Sequence, residues 1–257
     1  MIIILDLDDT LLNSNGELSE TNKKTLEKVK NNQNNLIVIS TFRSLIRCKN
    51  FSEELNADFT SCFLGNLVIN KHGNIIQNNC LNINDYSKLI AEYKQIFDGW
   101  VGCETDTKSI ICHQETASKY DGVEFLEEDK LLEILNKGNV FKIAFQCKND
   151  ENIINQLKSL AEKYGCEHKF SKGYRYCDFI PKNSKKINFV KTLKHMFPNE
   201  KLIVFGDDKT DLESIEFADI GVAMGNSQDE IKQKATIVAP TNNEDGVAVV
   251  LEQILNK

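Results

Sequence analysis

Three aspartates stand near the start of the chain, Asp6, Asp8 and Asp9, directly behind the apolar run Ile2-Ile3-Ile4-Leu5. A short β-branched run of this kind reads as a strand buried on both faces, as in a parallel sheet. Side chains alternate along a strand, so Asp6 and Asp8 are expected on one face and Leu7 on the other. Two carboxylates held close together cannot both ionise freely, and one pKa rises relative to the other. One can then serve as nucleophile or metal ligand while the other carries a proton as general acid and later acts as general base. The plainer account is a solvated acidic turn behind a strand, with Asp9-Thr10 capping the next element.

The same grammar recurs. Leu36 to Ile39 ends on Ser40-Thr41-Phe42-Arg43, Lys201 to Phe205 on Gly206-Asp207-Asp208-Lys209-Thr210-Asp211, and Ile220 to Met224 on Gly225-Asn226. In open α/β sheets the chemistry sits outside the carboxyl ends of the strands. A parallel sheet would therefore gather Asp6, Asp8, Thr41, Asp207, Asp208, Asp211 and Asn226 on one rim. Carboxylates on one rim repel unless a cation sits among them, and oxygen ligands favour a hard cation, Mg²⁺ ahead of Ca²⁺ or zinc. A hydroxyl (Thr41) and an ammonium (Lys185) would then neutralise and orient a phosphoryl group. The chemistry described is metal-assisted phosphoryl transfer through an aspartyl nucleophile. Taken singly, Asp207, Asp208 and Asp211 also suit an N-cap cluster, and Lys185 a solvated surface position.

The elements that must position these residues alternate at both ends of the chain. Ser19 can cap a helix over 20–31 that turns Leu26 and Val29 inward. The tract Lys30 to Asn35 reads as a polar helix-to-strand loop, followed after Leu36–Ile39 by a helix at 44–55 and a strand from Phe59 to Leu64. Leu67-Val68-Ile69 and Ile75-Ile76 flank a hairpin turn. From about Asn82 the pattern changes: a helix at 84–97, strands near 100–104 and 109–113, a helix near 127–136, a strand Val140 to Cys147, a helix at 150–164, and strands near 166–170 and 174–180. Such a series reads as an α+β sheet covered on one face. After Pro181, Ser184 can cap a helix that carries Lys185 and Lys186 in its first turn, where the helix dipole opposes cations. Helices at 212–217, 227–234 and 245–256 alternate with strands to the end. The fold class is α/β: a doubly wound, Rossmann-like parallel sheet core, residues 1–81 and 183–257, with an inserted α+β domain over 82–182.

Composition narrows the function classes. At net charge -7 and pI about 5.3, the chain is a poor nonspecific partner for nucleic acid or anionic membrane. No apolar run approaches the ~20 residues that span a bilayer, and the N-terminal run lacks the length and basic lead of a signal peptide. The eight cysteines include no CxxC pair and read as reduced thiols of a cytosolic, that is cytoplasmic, protein. The four histidines show no zinc-ligand spacing.

In this order the residues resemble a known set. Asp6-Leu7-Asp8-Asp9-Thr10-Leu11-Leu12 is similar to DxDxT, the first motif of the haloacid dehalogenase superfamily. Val38-Ile39-Ser40-Thr41-Phe42-Arg43 resembles the second motif, Pro181-Lys182-Asn183-Ser184-Lys185 the lysine-bearing third, and Gly206 to Asp211 the fourth, GDxxND. Gly221 to Asn226 and Asn242 to Ala248 match the Cof-type subfamily of phosphatases. The resemblance implies that Asp6 becomes phosphorylated, and that Asp8 protonates the leaving oxygen and then activates water. It implies Mg²⁺ held by Asp6, the Asp8 carbonyl and Asp207, with Asp211 in support. Thr41 and Lys185 would hold phosphoryl oxygens, and Arg43 and Asn226 would reach the substrate, a small phosphorylated metabolite such as a sugar phosphate. The insert would be a cap that excludes water and selects the substrate. Phe42 stands where the family usually has Gly, Thr210 where it has Asn, and the third motif is one residue short, so Lys185 rather than Lys186 is assigned. In the cap, Arg175, between Tyr174 and Tyr176, is either a substrate contact or an exposed strand residue. A phosphosugar mutase and a non-catalytic phosphometabolite-binding protein remain the alternatives.

Overall fold

Ile2–Leu5 forms a strand near the middle of an eight-stranded sheet, with every residue buried. The structure, a computed structural model, describes residues 1–31, 35–120 and 122–255. Among these the strands run in the order Ile237–Val238, Ile220–Ala223, Leu202–Gly206, Ile2–Leu5, Leu36–Ser40, Phe59–Cys62, Leu67–Asn70, Ile75–Asn78. The first six are parallel and Leu67–Asn70 turns back antiparallel. The two faces of the strand explain why an all-apolar run suits the centre. Ile2 and Ile4 pack with Ile187, Val190, Leu193 and Ile215, whereas Ile3 and Leu5 alternate to the opposite face. There the helix Glu20–Asn31 buries Leu26 and Val29 and packs on Gly246–Leu255.

The chain divides into two compact units. Met1–Arg43, Cys48–Gln77 and Lys185–Lys257 form the first; Ser44–Arg47 and Asn78–Ser184 form the second. The helix Leu45–Glu54 therefore has its first turn grouped with the second unit. In the second unit six strands run Cys166–Phe170, Tyr176–Pro181, Val140–Gln146, Val101–Thr105, Ser109–Ile111, Val123–Phe125. All described neighbours are antiparallel except the last pair. Helices Tyr86–Ile96, Glu128–Lys137 and Glu151–Lys163 share one core with the sheet. At its centre Tyr93 packs tilted on Phe145 and Phe145 meets Phe179 edge to face, with ring centroids 4.5 and 4.8 Å apart.

Several boundaries differ from expectation for local reasons. The helix after Pro181 starts at Lys186, with Lys185 as N-cap. Ser184 does not cap it; its hydroxyl donates to the Pro181 carbonyl. The helix expected at 212–217 begins at Lys209, because Asp208 caps it in a reciprocal box with Asp211. The helix expected at 227–234 is one turn, Asp229–Lys232. The strand Val123–Phe125 and the turn Gln114–Ala117 have too little periodicity to be read from sequence. Of the polar tract, 32–34 lie outside the described residues; Asn35 donates from Nδ2 to the Val29 carbonyl at 2.9 Å. Ile3→Ala, at a fully buried site, is expected to lower unfolding free energy by about 2–5 kcal/mol in urea titration. Ile75→Ala, at 53% exposure, should change it by less than about 0.5 kcal/mol.

Candidate active site

Strand pairing stops at Leu5, which faces Ile39 and Phe205 on its two sides. Asp6 continues extended (φ -70, ψ 159), and the chain then winds through Leu7–Leu11 with Asp9 left-handed at φ 55. This winding corrects the expectation that Asp6 and Asp8 share one strand face. Asp6 is buried at 7% exposure. The Asp8 carboxylate is exposed and takes the Arg43 guanidinium in a two-pronged pair, with Nε donating at 2.9 Å.

The centre of the site is an ammonium. Lys186 Nζ lies 2.7 Å from Asp6 Oδ1 and 2.8 Å from Asp211 Oδ1, in a side chain 3% exposed. Lys185, expected to be the site lysine, instead pairs with Glu213 at 2.6 Å on an exposed surface. The correction follows from helical geometry. Lys186 shares the buried face with Phe189, Val190 and Leu193, at the i, i+3, i+4, i+7 spacing that sequence periodicity already contains.

Asp211 is held from two sides: Oδ1 accepts from Lys186, and Oδ2 accepts the Asp208 N–H at 3.3 Å. Gly206 makes room for it, since a Cβ there would fall 2.3 Å from the Asp211 Cβ. Asp207 accepts the Thr10 hydroxyl at 2.8 Å. Asp208 itself is exposed and caps the helix, so the capping account holds for it, while Asp211 faces Lys186 as well. Asp6, Asp207 and Asp211 bring one oxygen each within 4.8 Å of one another.

Were all three ionised, the carboxylates around this one ammonium would carry two negative charges in excess. Burial pushes Asp6 up to about 8 against the pull of Lys186, and Asp211 and Asp207 push it the same way. Burial likewise raises Asp207 to about 7, opposed by the Thr10 hydrogen bond. Lys186 is held above its ordinary value because Asp211 and Asp6 outweigh its burial. The like-charged neighbours of Asp6 are thus Asp211 and Asp207, where Asp8 was expected. An all-oxygen donor set with two charges in excess fits a hard divalent cation such as Mg²⁺.

The remaining rim is braced by backbone. Thr41 is buried and its Oγ1 accepts the Arg43 N–H at 3.1 Å. The carbonyls of Thr41 and Arg43 accept from Leu64 and Phe63 at 3.1 and 3.2 Å. Phe63, Leu64 and Gly65 are consecutively left-handed at φ 51, 59 and 91. Such strain, about 1–3 kcal/mol for each non-glycine residue, persists only where the surroundings enforce it. No sequence signal marked these residues. Asn226, expected to reach substrate, donates to the Asp9 carbonyl at 2.7 Å and accepts from Asn242 N–H at 3.0 Å. Both ends of its amide therefore hold the loop. Asn242 in turn donates from Nδ2 to the Leu12 carbonyl at 3.0 Å. In the second unit, Arg175 lies exposed in the turn just before the strand Tyr176–Pro181 rather than within it.

The model of the haloacid dehalogenase-like hydrolases matches residues 3–251. The chain belongs to that family. It is an enzyme, a haloacid-dehalogenase-type phosphatase of the Cof type. The 5-amino-6-(5-phospho-D-ribitylamino)uracil phosphatase YcsE of Bacillus subtilis (strain 168) is 27% identical over 252 residues, covering 96% of this chain and 92% of that one. The crystal structure of TM0651 from Thermotoga maritima superposes with a TM-score of 0.84 at 26% identity, over 98% of this chain and 96% of that one. The subclass IIB sugar phosphatase BT4131 shares the fold, with a TM-score of 0.77 at 18% identity over 98% of both chains. Among the described residues of this haloacid-dehalogenase-type enzyme, no helix is long and apolar enough to cross a membrane.

Two outcomes follow from the charge balance. Lys186→Met should destabilise the protein at pH 8 by about 3–5 kcal/mol, because it strands buried carboxylates. Lys185→Met should stay within about 0.5 kcal/mol; urea unfolding compares them. Secondly, raised carboxyl pKa values mean that the native state binds more protons than the unfolded chain between pH 4 and about 8. Their contribution to stability therefore falls as pH rises through that window. Lys186, charged throughout, adds no slope there. Mg²⁺ should raise the thermal midpoint more at pH 8 than at pH 6, as read by scanning calorimetry.

Proposed function

We propose that this enzyme is a Mg²⁺-dependent phosphatase that hydrolyses small phosphorylated metabolites, sugar or sugar-alcohol phosphates, through an aspartyl phosphate on Asp6. The observation that carries this reading is Asp6 itself, at the end of a buried central strand, 2.7 Å from the Lys186 ammonium and grouped with Asp207 and Asp211. When bound at these three carboxylates, Mg²⁺ supplies positive charge that favours ionised Asp6 and draws phosphoryl oxygens.

The residues of the chain divide the work. The Asp6 carboxylate attacks phosphorus, forming the Asp6 O–P bond as the ester O–P bond breaks. Lys186 has three N–H donors, two of which serve Asp6 and Asp211, leaving the third for a phosphoryl oxygen. The Thr41 hydroxyl, whose oxygen already accepts from Arg43 N–H, keeps its proton to donate to another. Asp8 protonates the leaving oxygen once its pair with Arg43 opens, then takes a proton from the water that cleaves the Asp6 phosphate. Arg43 is left to meet the substrate. Asn226 acts by holding the Asp9 carbonyl and with it the loop that carries Asp8.

The inserted residues 82–182 are read as the family's cap, the part that selects the substrate. A phosphorylated polyol is favoured because the relative YcsE is named for a phosphoribityl compound and the fold neighbour BT4131 for sugar phosphates. The eight cysteines are all thiols, which suits the reducing cytosol. Phosphate release is the test, from a panel of sugar, sugar-alcohol and nucleotide phosphates. Release with Mg²⁺ is expected, with loss on chelation and a fall of at least about a thousandfold in Asp6→Asn. Release unchanged in Asp6→Asn would overturn the covalent route. Phosphate migration within a sugar bisphosphate cycle, without net release, would make it a mutase.

A further inference from the structure

Four consecutive residues, Cys62 to Gly65, meet every point at which the chain leaves the first unit or returns to it. It leaves after Arg43 and after Gln77, and returns at Cys48 and at Lys185. The Phe63 N–H donates to the Arg43 carbonyl at 3.2 Å. The Cys62 and Cys48 sulfurs lie 3.4 Å apart. Gln77 Nε2 donates to the Gly65 carbonyl. A Cβ placed on Gly65 would fall 3.3 Å from the Lys185 carbonyl oxygen and 3.9 Å from Phe189 Cβ.

This turn stands between the two donors assigned above to the phosphoryl oxygens. On one side the Leu64 N–H donates to the Thr41 carbonyl at 3.1 Å. On the other, Gly65 lies against Lys185, the N-cap of the helix that opens with Lys186. The turn is left-handed at Phe63 and Leu64, a conformation that side chains with a Cβ keep only when they are held there. Asn66 holds its start, donating from Nδ2 to the Phe63 carbonyl at 2.7 Å. Gln77 holds its end. In the strand Ile75–Asn78 the other three residues are exposed and Gln77 is half-buried, so its side chain is the one turned inward, toward the Gly65 carbonyl.

We propose that Gln77 is a positioning residue for the phosphatase. By holding the Gly65 carbonyl it keeps the turn seated against the start of the Lys186 helix, and the turn fixes where Thr41 stands relative to Lys186. Gln77 touches no reacting atom and acts through Thr41, so the proposal rests on the role given to Thr41 under the proposed function. Donors stabilise a phosphoryl transition state only if they are in place beforehand, and a misplacement of about 1 Å can cost about a hundredfold in rate.

Gln77→Met keeps the length of the side chain and removes its N–H donors. Phosphate release from p-nitrophenyl phosphate with Mg²⁺ is followed in the full chain. The kcat is expected to fall about tenfold while KM stays within about threefold. Ile75→Ala, on the same strand, should leave both within about twofold. In a Thr41→Val background the Gln77→Met change should cost less than about twofold, because a residue that acts through Thr41 then has no hydroxyl to position. Should Gln77→Met fail to fold, Gln77→Asn, whose amide stops one methylene short of the Gly65 carbonyl, carries the same expectations. A kcat within about twofold of the unaltered chain, a loss that multiplies undiminished on Thr41→Val, or an equal loss in Ile75→Ala overturns the proposal. Failure of the underlying reading looks different: Thr41→Val itself would then turn over as fast as the unaltered chain.

Discussion

One buried ammonium organises the first unit. Lys186 sits in the opening turn of a helix, where the dipole disfavours a cation, and is nearly without solvent. It is tolerable there only because Asp6 and Asp211 each lie within 2.8 Å. The dependence is mutual, since two buried carboxylates this close need the ammonium between them. Two ion pairs that share this ammonium tie together the end of the first strand, the helix after Pro181 and the helix after Gly206. The three elements are far apart in sequence and meet at the carboxyl end of one sheet.

Around that ammonium the rim is stiffened without further charge. Gly206 lets the Asp211 side chain pass where a methyl would collide. Thr10 orients Asp207, and Asn226 and Asn242 clasp the loop behind Asp6. In the left-handed turn Phe63–Gly65, the N–H groups of Phe63 and Leu64 donate to the carbonyls of Arg43 and Thr41. A rim so held can present donors and carboxylates without reorganising when charge develops on a phosphoryl group. Fully ionised, its three carboxylates carry two negative charges beyond Lys186, an oxygen donor set of the kind that could hold a cation.

The second unit solves a different problem with the same alternation. Helices cover one face of its sheet and bury an aromatic core. The other face buries Glu104, Lys142 and Asp178 among small and aromatic neighbours.

Much of this was legible in the residues taken in order. The apolar runs followed by Asp6, Thr41, Asp207 and Asn226 announced parallel strands ending at a common rim, because a run buried on both faces has few other places to go. The four spaced motifs announced the family. What the linear pattern left open was decided by tertiary geometry. Asp8 left the face of Asp6 because strand pairing ended at Leu5 and the chain wound away. Lys186 displaced Lys185 because a helix turns about 100° per residue, so two adjacent lysines face the interior and the solvent, and only packing selects which. Asn226 became a brace because Asp9 and Asn242 lay within reach, and Asp9 is more than 200 positions away along the chain, beyond any local signal. Residue types set the chemistry available; the three-dimensional fold set which atoms meet, since hydrogen bonds and ion pairs act over a few ångströms that sequence distance does not measure.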